Sequence, residues 1–121
     1  KDETNTNRSD FAEKFRALSE HATEHAEAHP NSPKHQHMLG RANALNFAAN
    51  LLKDADASFE DVVQRLRERA DRLDNALHPS TSDPMIRFVV GSRNALWHAA
   101  DVIDKWVEVN DFLETEVRFM A

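Results

Sequence analysis

Residues 83–120 read DPMIRFVVGSRNALWHAADVIDKWVEVNDFLETEVRFM, and the way this stretch folds decides the architecture of the chain. Ile86, Val89, Val90, Leu96, Trp97, Ala100, Ile103 and Val107 recur at three-and-four spacing, which places them on one helical face. Ala99, Val102, Trp106, Val109, Leu113, Val117 and Met120 form a second apolar series, about 130° further round at about 100° per residue. A helix apolar on two faces needs neighbours on both. As one element from Pro84 to Met120 it extends roughly 55 Å at about 1.5 Å per residue.

Three further helices are predicted upstream. Residues 1–8 lack apolar anchors and read as a disordered leader, so that 9–121 forms a single helical-bundle domain. The first helix is predicted from Asp10, which with Glu13 has capping-box spacing, to His29, where Pro30 stops it. Ser32 is the expected cap of the second, with Pro33 at its first position and its end near Asp54. Gly40, inside it, implies either close approach of another helix or a strained backbone. Ser58 with Asp61 opens the third, which carries the stripe Phe59, Val62, Val63, Leu66, Ala70, Leu73 and Leu77.

These three elements, each about 30 Å long, cannot sheathe the last one over its whole length. Either its far end pairs with another copy, or the chain folds back near Asn110 and Asp111, where Asp111 and Glu114 repeat the capping-box spacing. The fold class is therefore all-α: a four- or five-helix bundle with a long, doubly apolar C-terminal helix. Two glycines and four prolines in 121 residues, with no alternating strand pattern, agree with that class.

Composition excludes several functions. There is no cysteine, hence no disulfide, thiol nucleophile or thiolate metal site. No apolar run approaches the roughly 18–20 residues that cross a membrane, and a soluble, cytoplasmic protein is expected. Net charge is −6, and residues 101–121 hold six acids against two bases. That balance opposes non-specific binding to nucleic acid and suits a basic protein partner, or simply a solvated helix face. Arg65, Arg67, Arg69 and Arg72 are interleaved with acids and read as intrahelical ion pairs.

Seven histidines invite a metal reading. His21, His25 and His29 are spaced by four on the first helix, and His35 follows across the turn. Histidines at helix ends also serve the terminal carbonyls, and the paired Glu-x-x-His motifs of carboxylate-bridged bundles are missing. No cofactor is expected, and these four histidines are the metal candidates.

The segment Gly91-Ser92-Arg93-Asn94-Ala95-Leu96-Trp97-His98 resembles the signature of HEPN-type ribonucleases, in which an Arg, often followed by a polar residue, precedes a His by a few positions. The resemblance implies an α-helical domain whose two protomers join their motifs into a composite, metal-independent RNA-cleaving site. It further implies that Arg93 contacts the scissile phosphate, His98 exchanges protons and Asn94 orients the site. A guanidinium can stabilise phosphorane charge and an imidazole can move protons near neutrality. Read without the family, Arg93 is a helix-packing arginine and His98 a surface residue.

The sequence thus leads to a non-enzymatic interaction module, inhibitor- or adaptor-like, that forms a homodimer through Ala99, Val102, Trp106, Val109, Leu113, Val117 and Met120. A HEPN-like endoribonuclease using Arg93, Asn94 and His98 is the alternative.

Overall fold

The computed structural model describes the backbone of residues 2–54 and 56–120, and the side chains of residues 8–54, 56–110 and 113. Within it the chain forms α1 (Asp2–Ala28), α2 (His35–Leu52), α3 (Phe59–Ala76) and α4 (Asp83–Met120). The local signals account for some of these boundaries. Ser58 and Asp61 make a complete capping box: Ser58 Oγ accepts the Asp61 N–H at 3.0 Å, and the Asp61 carboxylate accepts the Ser58 N–H at 3.3 Å.

Two boundaries differ from the sequence reading. α1 begins at Asp2 and not at Asp10, because no glycine or proline precedes Asp10 to stop it. Arg8, assigned above to a disordered leader, is buried. Its guanidinium donates to the carbonyls of Leu52 (3.4 Å), Asp54 (3.0 Å) and Ala57, tying α1 to the end of α2 and the connector that follows. A cation there satisfies terminal carbonyls that the helix itself leaves open. α2 begins at His35 behind the cap residue Lys34, while Ser32 organises the preceding turn: its hydroxyl accepts the Lys34 N–H and its carbonyl the His35 N–H.

α4 is one uninterrupted helix of 38 residues. The capping pattern at Asp111 and Glu114 opens no new element, since no glycine or proline lies between Ser92 and Met120 to break the helix. The bundle accordingly has four helices, the long C-terminal one among them.

Side-chain contacts fix the topology. α1 runs antiparallel to α2, with Ser19 Oγ donating to the Ala42 carbonyl at 2.7 Å and Arg16 reaching Asn50. α3 runs antiparallel to α4, with Asp74 near Arg93, Arg67 near Asp101 and Asp104, and Phe59 near Trp106. α2 and α4 run in the same direction as the close central pair. Arg87 donates to the Pro33 carbonyl at 2.7 Å at their shared starting end, and Gly40 packs on the backbone of Phe88 and Ser92.

That central contact answers the question Gly40 raised. A methyl group at Gly40 would meet the Phe88 carbonyl, and one at Gly91 would meet the His37 carbonyl; neither glycine has positive φ. Close backbone approach is therefore the reason for both. The packing continues through small residues, Ala44, Ala48 and Ala49 on α2 with Ala95, Ala99 and Ala100 on α4, around the buried Leu45, Leu52, Val62, Leu66, Leu96 and Ile103. Among the described residues, no buried side-chain polar atom lacks a partner and no helix is long and apolar enough to cross a membrane.

Gly40→Ala and Gly91→Ala are each expected to lower unfolding free energy by about 1–3 kcal/mol in urea titrations, the usual range for overpacking. Ala is the better helix former by up to about 1 kcal/mol, so a rise in stability would mean that the helices separate there without cost.

Candidate functional site

The face of α4 that receives α2 does not end where α2 ends. Leu52 lies about twelve residues beyond Gly40, so α2 stops roughly level with residues 100–104 of α4. Gly91, Ala95 and Ala99 lie on the covered part of this face, all three buried. At about 100° per residue the same face continues as Val102, Trp106, Val109 and Leu113. With α2 absent there, Val102 is 36 % exposed, Val109 46 % and Leu113 55 %.

Trp106 marks the border. Its ring meets Phe11 of α1 at 5.8 Å and Phe59 of α3 at 5.3 Å, both edge-on, and Phe11 meets Phe59 at 6.2 Å. Arg8 lies over the Phe59 ring at 5.0 Å. This aromatic cluster ties the starting ends of α1 and α3 to α4. Beside it a shallow groove of about 620 Å³ is lined by Phe11, Val102, Trp106 and Val109, with His98, Asp101 and Lys105 along its other edge.

The predicted interaction series is thus divided by depth. Ala99 is wholly buried in the core and forms no part of an outer surface. Val102, Val109 and Leu113 are exposed, and Trp106 is half-buried under Phe11 and Phe59. Val117 and Met120 lie outside the described side chains. The predicted interaction series leaves out Phe11, Asp101 and Lys105, which also line the groove. Phe11 comes from α1, and the two charged residues are invisible to a search for apolar repeats.

Arg93 and His98 are not brought together within one chain. Arg93 faces α3, donating to Asp74 at 2.5 Å and to the neighbouring Asn94 side chain at 3.2 and 3.3 Å, with its guanidinium 5.1 Å from the Trp97 ring centre. Its side chain is 20 % exposed. His98 is exposed at the edge of the groove, about 140° round the helix from Arg93. About two turns earlier on α3, Arg67 bridges Asp101 and Asp104 at 3.2 Å each. The hydrogen bonds that Arg67 donates to those two carboxylates, the Asp101 bond first, raise its pKa above the ordinary arginine value and keep it cationic.

The histidines at the other end of the bundle are partly gathered. The rings of His25 and His29 lie 4.9 Å apart, and a ring nitrogen of His35 contacts the Ala26 carbonyl at 2.8 Å. His21, one turn earlier on α1, is exposed. Among the described residues, no three or more histidine or acidic side chains are arranged to hold a metal ion.

No protein family, curated protein or solved structure matches the chain.

Arg93→Met, which keeps an apolar stem beside Trp97 and removes the ion pair, is expected to cost about 1 kcal/mol of stability, as is Asp74→Asn. In a double-mutant cycle the combined change should fall clearly short of the sum. Full additivity would mean that the pair contributes nothing.

Proposed function

We propose that this protein is a non-enzymatic helical interaction module, inhibitor- or adaptor-like, that docks a partner helix along the uncovered face of α4 and forms a homodimer there. The observation that carries this reading is the continuation of the α2-binding face past the end of α2, as Val102, Val109 and Leu113 beside the Phe11–Trp106 groove. A face shaped to receive one helix, left bare where that helix stops, suits a second. Helix-in-groove recognition uses anchors at such spacing, and the apolar area supplies the drive. The acidic residues Asp101, Asp104 and Glu108 along α4 also suit a basic partner. We place the protein in the cytoplasm, where a cysteine-free helical bundle needs no disulfide.

The HEPN-like alternative draws less support from the same residues. It needs Arg93 on a phosphate, and Arg93 is held by Asp74 and Asn94 beside Trp97. Releasing it would break the Arg93–Asp74 ion pair.

Val109→Glu is the discriminating substitution, because Trp106 is tied into the aromatic cluster and its loss would disturb the fold itself. The wild type is expected to sediment as a dimer and Val109→Glu as a monomer with unchanged helicity by circular dichroism. A wild type that stays monomeric at high micromolar concentration would remove self-association from the reading. Incubation with mixed RNA in chelator is expected to leave the RNA intact. Cleavage lost in both Arg93→Ala and His98→Ala would replace the interaction module with the ribonuclease.

A further inference from the structure

We infer that His25 and His29 form a two-imidazole chelating site at the end of α1 for a divalent transition-metal ion, copper(II) ahead of nickel(II) and zinc(II). The site lies at the other end of the bundle from the groove and does not depend on the docking role proposed above.

His25 lies in the last turn of α1, and His29 follows its last residue, Ala28. The His29 N–H donates to the His25 carbonyl at 3.2 Å, so the helical turn is still closed across the pair and both side chains leave from one face. Their ring centres are 4.9 Å apart, with the planes tilted by 49°. Both residues are exposed, and neither imidazole has a hydrogen bond or ion pair among the described residues. His35 and His78, by contrast, each engage Nδ1, with the Ala26 carbonyl at 2.8 Å and with Ser80 Oγ at 2.7 Å. His21 and His25 share the four-residue spacing, yet among the described residues no ring contact joins them. Spacing alone therefore does not bring two rings together on this helix.

The separation of the rings fits a shared ion. An imidazole nitrogen binds such a metal at about 2.0–2.1 Å, which puts the ring centre about 3.2 Å from it. Two ring centres seen from the metal at about 90–110° are then about 4.5–5.2 Å apart, and the observed 4.9 Å falls inside that span. Ring stacking by itself allows a wider range, about 4.5–7 Å. The last carbonyls of α1 present the negative end of the helix dipole here, which favours a cation. Two protein donors are fewer than the four of a closed structural site, so water fills the other positions and the ion exchanges. The chain has no thiolate to compete, and nitrogen donors with open positions follow the order in which copper(II) binds most tightly.

Titration of the untagged protein with copper(II) chloride, followed by calorimetry and electron paramagnetic resonance, tests the site. The tightest-bound ion is expected to show two nitrogen donors. His25→Gln and His29→Gln should each weaken its binding at least about tenfold, because either loss removes the chelate. Combining them should add little to either alone, and His21→Gln should leave the affinity unchanged. All three residues are exposed, so helicity by circular dichroism should stay that of the wild type in every variant. Nickel(II) and zinc(II) should bind more weakly than copper(II) and lose binding in the same variants. Unchanged affinity in His25→Gln or in His29→Gln would overturn the inference. So would an equal loss in His21→Gln, or a wild type that binds copper(II) no better than the double variant.

Discussion

The backbone-to-backbone contact of α2 with α4, Gly40 against Phe88 and Ser92 and Gly91 against His37, governs the rest. Two helices that touch backbone to backbone leave no room for large side chains between them. The residues that follow are alanines for that reason, and the bulkier Leu45, Leu96 and Ile103 are buried in one cluster with Leu66 of α3. Because the pair runs in the same direction from a common end, the shorter member must stop first. What remains of α4 beyond that level keeps the apolar character of a buried face without a helix from α2 to bury it.

The end of the bundle where this happens is secured by α1 and α3. Arg8 hydrogen bonds three carbonyls around the end of α2, and the rings of Phe11, Phe59 and Trp106 meet beneath it. The cluster caps the core and forms one wall of the groove at once. Trp106 therefore belongs both to the core cluster and to the groove wall, whereas Val102, Val109 and Leu113 contribute to the outer surface alone. Charged residues on α4 divide in a similar way. Arg93 joins α3 through Asp74, Asp101 and Asp104 join it through Arg67, and His98 and Lys105 remain at the groove. Residues 84–100 around Arg93 include no acid of their own; in the fold, α3 brings Asp74 to Arg93.

Much of this was legible in the linear chain. Helical periodicity and the scarcity of glycine and proline determined an all-α fold, Ser58 with Asp61 determined the start of α3, and the double stripe on 83–120 determined that the last helix has more apolar surface than a single partner covers. These are properties of neighbours three or four residues apart, which a sequence displays directly. The tertiary structure decided the rest. It buried Ala99 and exposed Val109 although both belong to one stripe, since depth depends on where α2 stops. It gave Gly40 its reason, placed Asp74 against Arg93, carried Phe11 to Trp106 and recruited Arg8 to carbonyls more than 40 residues away. Each of those is a meeting of residues remote in the chain, and no local pattern records which distant residue will arrive.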